Sequence, residues 1–353
     1  MSKFWSPLTA SLVPYVPGEQ PKDKTYIKLN TNENPYPPSP KVIEAIQAAA
    51  NADLRLYPDP TCEALVRAAA DYYGLPSGQV FVGNGSDEIL AFAFAAFFDP
   101  AKKLLFPDIT YSFYKVYAKL YGLQTELIPL DEKFRVQADA YRPDNGGVII
   151  PNPNAPTAQL LPLADIRQLL ENNPDQAVVI DEAYIDFGGE SAISLIREYP
   201  NLLVVQTLSK SRSLAGLRVG FAFGSEELIE GLNRIKNSFN SYTLDRLALA
   251  GAIASFEDDA YFRDTTAKVI ATRERVTKQV QELGFRATDS KANFVFITHP
   301  ELPAKSIFQQ LRDKGVLVRY FDQPRIDEYL RVSIGTDEEM EAFTAALREI
   351  AGA

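Results

Sequence analysis

One cysteine, one histidine, one tryptophan and two methionines in 353 residues leave several kinds of chemistry without their usual side chains. The lone Cys62 excludes an internal disulfide, and without a Cys-x-x-Cys pair or a Cys/His cluster no zinc site is expected. A Ser-His-Asp triad would rest entirely on His299, which follows the apolar run NFVFIT and precedes Pro300, the setting of a loop histidine after a strand. Long apolar runs are also missing. The longest, Ile89 to Phe98, is far short of the roughly 20 residues that span a bilayer and is flanked by Asp87, Glu88 and Asp99, so it reads as a buried helix. The opening MSKFWSPLTASLVPYVPG is broken by prolines and lacks the apolar core of a secretory leader; with the shortage of cysteine, the expected location is cytoplasmic. Positive charge is scarce too: 36 Lys and Arg face 46 Asp and Glu, and the net charge of -10 opposes binding to nucleic acid.

What is present is the composition of a globular protein, 46% hydrophobic and 23% charged, in a chain too long for one core. We expect a large domain over 41–255, and a smaller α+β domain made by an N-terminal arm, 1–40, together with 256–353. Helix-period segments at 41–51, 61–73, 86–98, 110–121, 162–172 and 226–236 alternate with short apolar runs. In the fifth, Leu163, Ile166, Leu169 and Leu170 share one face and Pro162 opens the first turn. The runs QVFVG, KLLF, LQTELIPL, GVIIP, AVVIDEA, LLVVQT and RVGFAFG have the aliphatic density of strands covered on both faces. After about residue 240 come two long helical stretches, then GFRATD, ANFVFIT, GVLVRY and YLRVSIG as strands around a helix at 303–314, and a closing helix at 337–351. The arm, with prolines at 7, 14, 17, 21, 35, 37, 38 and 40, reads as extended and without a core of its own.

The polar residues at the ends of the apolar runs carry the chemistry. Lys210, in VVQTLSKSRSLAGLRVGF, sits in a polar loop beyond a buried strand, with Ser209 beside it and Arg218 eight residues on. Such a lysine is either solvated or a nucleophile toward a carbonyl. Asp181 ends AVVIDEA, where a buried carboxylate needs a cationic partner; a pyridinium nitrogen is one, and a helix cap or structural ion pair is the alternative. Tyr184, three residues later, is placed to donate to a ring oxygen of the same group. VGNGSDEIL turns through two glycines into a helix whose first N–H groups bind phosphate, unless Ser86 and Asp87 merely cap it.

Taken in order, KLNTNENPYPPSPKV, RLYPDP, VGNGSDEIL, DITYSFY, IIPNPNAPTAQLLP, VVIDEAYIDF, TLSKSRSLAGLRVGF, ANFVF and LRVSIGT resemble the motifs of fold-type I pyridoxal-phosphate aminotransferases, from about residue 10 to residue 336. The subgroup they most resemble is that of the histidinol-phosphate aminotransferases. The resemblance implies an α/β large domain with a mostly parallel seven-stranded sheet between helices, and pyridoxal 5'-phosphate as cofactor. It implies Lys210 as the Schiff-base lysine and proton shuttle, Asp181 as partner of the ring nitrogen, Tyr184 as donor to the ring oxygen and Tyr111 as the stacking ring. Ser86, Asp87, Ser209 and Arg218 would hold the cofactor phosphate, joined by Tyr57 from a second subunit, which implies a homodimer with shared sites. Arg331 would grip the substrate's carboxylate or phosphate, with Arg319, Tyr15 and Asn32 nearby. The implied reaction exchanges an amino group between glutamate or 2-oxoglutarate and histidinol phosphate or imidazole acetol phosphate. Aromatic amino acid transamination and threonine-phosphate decarboxylation use the same core residues and stay open here. The chain departs from the pattern NPNNPTG at two places, Ala155 and Ala158; the first removes an asparagine that donates to the ring oxygen, and Asn154 is the nearest substitute.

Overall fold

The structure of the protein is a computed structural model and describes residues 2–15 and 18–352, so Pro17 of the expected arm lies outside the described residues. A short α1 (Pro7–Ser11) and a two-residue β1 (Ile27–Lys28) make up the regular part of the arm. Then follow α2 (Pro40–Ala49), α3 (Glu63–Tyr73), β2 (Val80–Gly83), α4 (Gly85–Phe97), β3 (Lys103–Pro107), α5 (Phe113–Leu120) and β4 (Gln124–Ile128). The chain continues with β5 (Val148–Pro151), α6 (Leu163–Asn172), β6 (Val178–Asp181), β7 (Leu202–Thr207), β8 (Gly220–Gly224), α7 (Glu226–Phe239), α8 (Arg246–Glu257) and α9 (Asp259–Glu282). It closes with β9 (Arg286–Ala287), β10 (Phe294–Thr298), α10 (Ala304–Asp313), β11 (Val316–Leu317), β12 (Arg319–Tyr320), β13 (Leu330–Ser333) and α11 (Asp337–Ala351).

Seven strands form one sheet in the order β2-β8-β7-β6-β5-β3-β4, parallel except for β8, which runs antiparallel to both neighbours. This is the expected mostly parallel sheet. Side-chain alternation explains why its strands read as unbroken apolar runs. Val148, Ile150, Val178, Ile180, Leu202 and Val204 pack with α3, α6 and α8, whereas Ile149, Val179, Leu203 and Val205 pack with α4, α5 and α7. Each such fully buried side chain contributes about 1.5–3 kcal/mol over exposure. The helices start where the sequence offers caps: Ser225 accepts from the Leu228 N–H, Asp245 from Ala248, and Thr336 with Glu339 makes a reciprocal capping box.

A second apolar cluster joins Val269, Val276 and Val280 of α9, Ile307 and Leu311 of α10, Met340, Phe343 and Leu347 of α11, and the inner faces of β10 and β13. Its antiparallel sheet has the order β12-β13-β10-β9.

The structure corrects the expected elements in five places. GVLVRY is two strands, because Val316–Leu317 pair in parallel with the arm strand β1 while Arg319–Tyr320 pair with β13, and Val318 turns into the core between them. The arm is therefore not coreless: Leu29, 1% exposed, belongs to the second cluster. The helix expected over 110–121 starts only at Phe113, since Thr110, Tyr111 and Ser112 form the turn that lines the cavity described below. Pro40 begins α2 as its first helical residue, and α7 runs on to Phe239. His299 follows β10 as expected, its Nδ1 accepting from the Glu301 and Leu302 N–H groups at 3.2 and 3.1 Å.

Candidate active site

The carboxyl ends of β2, β3, β5, β6 and β7 share one edge of the large sheet, the edge where open α/β sheets bind ligands. Because β8 runs the other way, its first residue, Gly220, lies at that edge too, in register with Gly83 and Thr207. The loop from Leu208 to Val219 must then begin and end beside the same cavity, which brings Lys210 and Arg218 together. The cavity has a volume of about 290 Å³. Tyr15, Asn32, Ser86, Asp87, Tyr111, Asp181, Tyr184, Ser209, Lys210, Arg218, Arg319 and Arg331 all line it.

One end is built for an anion. The Asn84 side chain makes no cap bond to α4, the Glu88 carboxylate accepts from the Asn84 N–H at 2.7 Å, and the Asp87 oxygens are turned to Tyr111 and Arg218, so the alternative reading of Ser86 and Asp87 as caps does not hold and the N–H groups of the first turn keep their partial positive charge. A Cβ on Gly220 would come within 2.6 Å of the Gly85 carbonyl carbon and the Ser86 nitrogen, so glycine is what allows the β8 backbone to lie against this turn. Arg218, at φ 56°, donates to the Ser209 hydroxyl at 3.3 Å and to the Asp87 carboxylate at 3.2 Å. The other Asp87 oxygen accepts from the Tyr111 hydroxyl at 3.1 Å. Asp87 thus orients Arg218 and Tyr111, and only its backbone N–H is suited to an anion. Burial, with the Asp87 charge second, pushes the Tyr111 hydroxyl well above its ordinary range.

At the centre, Asp181 is 5% exposed. Its Oδ2 accepts from the buried Tyr114 hydroxyl at 2.8 Å, and its Oδ1 has no partner among the described residues. Burial pushes the carboxyl up to about 6, only partly opposed by the Tyr114 bond. A buried carboxylate with one empty oxygen facing a cavity calls for a cationic N–H from a ligand. Lys210 Nζ lies 5.7 Å from the centre of the Tyr184 ring, and the Asn34 amide pins the Lys210 and Ser211 carbonyls at 3.0 and 3.2 Å. Tyr184 OH accepts from Asn32 Nδ2 at 3.0 Å. The donor set fits pyridoxal phosphate: a cup for its phosphate, a carboxylate for its ring nitrogen, a phenol for its ring oxygen and an amine for its aldehyde carbon.

At the other end, Arg319 and Arg331 are direct cross-strand partners on β12 and β13, and among the described residues neither forms an ion pair. Like charges placed opposite each other cost stability, and an anion between them would relieve the repulsion. Arg331 donates to the Asn30 carbonyl at 2.9 Å, packs over Phe294 at 5.3 Å, and leaves Nε buried without a partner. Tyr15 packs on Phe113 at 4.9 Å and closes one side.

Two expected residues are not in the cavity. Tyr57 is 76% exposed and stacks on Tyr242 at 4.6 Å. Asn154 donates instead to the Ile109 carbonyl at 3.0 Å and the Thr157 hydroxyl at 2.9 Å, so its amide does not supply the donor missing at Ala155, which does line the cavity. Ala158 is buried at φ 63°, a backbone region that glycine adopts more readily, and the Lys291 N–H closes on its carbonyl at 3.0 Å. Sequence reading missed Tyr114, Asn34 and Ser333. The first lies in the motif DITYSFY beside Tyr111, the second in TNEN beside Asn32, and the third two residues after Arg331 on the same strand face.

A doubly covered, mostly parallel sheet with a lysine, a buried carboxylate and an anion cup at its carboxyl edge defines a pyridoxal-phosphate transferase fold of type I. The family described as aminotransferase class I and II matches residues 24–347, and the chain belongs to it. A histidinol-phosphate aminotransferase of Clostridium acetobutylicum is 63% identical over 349 residues, covering 99% of each chain. Histidinol-phosphate aminotransferase 1 of Pseudomonas aeruginosa is 60% identical over 347 residues, 98% of this chain and 99% of its own. The crystal structure of histidinol-phosphate aminotransferase from Sinorhizobium meliloti, in complex with pyridoxal-5'-phosphate, superposes with a TM-score of 0.90 over 100% of this chain and 98% of its own; at 23% identity it speaks to the fold.

Proposed function

We propose that this chain is a histidinol-phosphate aminotransferase of histidine biosynthesis, exchanging an amino group between glutamate or 2-oxoglutarate and histidinol phosphate or imidazole acetol phosphate. The observation that carries the reading is the unpartnered Oδ1 of buried Asp181 in the same cavity as Lys210. The full-length relatives at 63% and 60% identity support the substrate, as does the unpaired Arg319 and Arg331 couple, which suits an anionic group on it. Bound pyridoxal phosphate supplies an electron sink that lets the proton on the substrate's α-carbon leave. Asp181 would hold the ring nitrogen through its free Oδ1 and so keep it protonated. Lys210 is the residue that would hold the cofactor through its amine, and the same amine would carry the proton of the substrate's α-carbon. Ser86, Ser209, Arg218 and the N–H groups of α4 would hold the phosphate, Tyr111 would cover the ring, Tyr184 would donate to the ring oxygen, and Arg331 with Arg319 would orient substrate. The large domain over 41–255 carries the cofactor residues, and 256–353 with the arm forms the small one. The active unit is a cytoplasmic homodimer.

Borohydride reduction of the yellow protein followed by peptide mapping should place the cofactor label on Lys210. A coupled assay with 2-oxoglutarate should rank histidinol phosphate above phenylalanine and tyrosine as amino donor. A label on another lysine, or a preference for the aromatic amino acids, overturns the corresponding half of the reading.

A further inference from the structure

Asn32 is 1% exposed, and its polar atoms meet partners on both sides. Its backbone N–H donates to the Ser333 hydroxyl at 2.8 Å, and that hydroxyl returns its own proton to Asn32 Oδ1 at 2.9 Å. The exchange fixes the amide's orientation: the carbonyl faces Ser333, so the NH2 group faces Tyr184, to whose oxygen it donates at 3.0 Å. The Asn32 carbonyl accepts from Asn293 Nδ2 at 2.9 Å, and the Asn293 carbonyl accepts from the Ile334 N–H at 2.8 Å, which locks the backbone at φ 57°. A phenol has one proton; with the amide donating to its oxygen, that proton must point away from Asn32.

We propose that Asn32 and Ser333 form a positioning relay that aims the Tyr184 proton at the ring oxygen of the cofactor and ties this donor to β13, the strand carrying Arg331. The inference rests on the reading of Tyr184 given above. It gives Asn32 a duty other than direct substrate binding and Ser333 a duty of its own. Ala155 sharpens the need, because the amide that the family pattern places there is absent and the Asn154 amide is engaged elsewhere. The charged and titratable groups that face Tyr184 are Lys210 from the β7–β8 loop, Arg331 from β13 and Tyr111 from the turn before α5.

The test is the pH at which the visible band of the lysine-bound cofactor changes. The proton on the linking nitrogen is held by the negative ring oxygen beside it, and a hydrogen bond from Tyr184 weakens that hold. Misaiming the phenol therefore raises the midpoint. Asn32→Gly keeps the backbone, since glycine accepts φ 57°, and removes only the amide. We expect it to raise the midpoint by about half a pH unit to one unit, Ser333→Ala to act in the same direction, and Tyr184→Phe to shift it at least as far. In Tyr184→Phe, adding Asn32→Gly should change nothing further, because no phenol proton is left to aim. A midpoint that ignores both Asn32→Gly and Ser333→Ala, or a shift that adds in full on top of Tyr184→Phe, overturns the relay. Should Asn32→Gly fail to fold, Ser333→Ala alone and in the Tyr184→Phe background decides by the same two criteria. A wild-type protein with no visible band and no Lys210 label defeats the underlying reading, whereas a band indifferent to the substitutions defeats the relay alone.

Discussion

Asp181 ends a strand in which Val178, Val179 and Ile180 are fully buried, so its carboxyl is carried by the register of its neighbours to a place where charge is costly. In the cofactor-free protein the sign of its effect on stability follows from burial. The folded state holds the Asp181 proton up to about 6, against 3.8 in the unfolded chain, so its contribution is complete below pH 3.8 and is lost as pH rises through about 6. Asp181→Asn removes this titration. The stability of the cofactor-free variant minus that of wild type should therefore grow between about pH 4 and pH 6, by up to roughly 3 kcal/mol, and stay level above, as read from urea midpoints across pH. Glu182, pushed up to about 7 by burial, titrates in both proteins and cancels from the difference. A difference independent of pH would refute the assignment, and in the loaded enzyme kcat should fall about a hundredfold or more. That Lys210, Asp181 and Arg218 meet at one sheet edge was legible in the sequence because each stands at an end of an apolar run. Asn154 was misjudged because a loop's residue order does not say which way an amide turns. Tyr114 and Ser333 stand within recognised motifs, but what they bind was not legible there, since their partners lie 67 and 301 positions away.

At the scale of elements, the antiparallel β8 decides the site, because it returns the loop after β7 to the edge it left. Its first residue shows how narrow the fit is. Gly220→Ala would drive a methyl group into the backbone of Gly85 and Ser86, neither of which is a flexible side-chain end. We expect a loss of about 1–3 kcal/mol in stability from overpacking and a cofactor dissociation constant raised about tenfold or more, measured by thermal melts and by equilibrium dialysis of the reduced-affinity enzyme. Unchanged cofactor affinity would mean that the α4 turn does not hold the phosphate. The seven strands were readable because burial on both faces writes a continuous aliphatic run. The split of GVLVRY at Val318 was not, because it depends on two different partners, β1 and β13, dividing one apolar stretch between them. The late start of α5 is of the same kind: Thr110 to Ser112 have helical company in the sequence but serve the cavity.

For the whole molecule, the exposed Tyr57 is the residue through which the proposed homodimer can be tested. Its backbone carbonyl is held by Arg246 at 2.8 Å and its ring stacks on Tyr242, so it is held at the surface and does not line its own cavity. If it reaches the phosphate of a second subunit, mixing inactive Lys210→Ala and clearly impaired Tyr57→Ala proteins under conditions of subunit exchange should restore about a quarter of the wild-type sites, since half of the dimers are hybrids and each has one intact site. Verified exchange without recovered activity would assign Tyr57 to its own subunit. The tie between the arm and β13 has a consequence for how such a molecule is made. Asn32 and Ser333 are 301 positions apart, and β1 cannot pair until β11 exists. At about 5–20 residues per second, segment 27–34 waits roughly 15 to 60 s on the ribosome for its partners, long after the last strand of the large sheet has been synthesised. The half of the pocket at the large sheet's edge can thus exist in the nascent chain while the half that carries Arg319 and Arg331 cannot, and the bonds from Asn32 to Ser333 and Tyr184 record the moment when the two become one cavity.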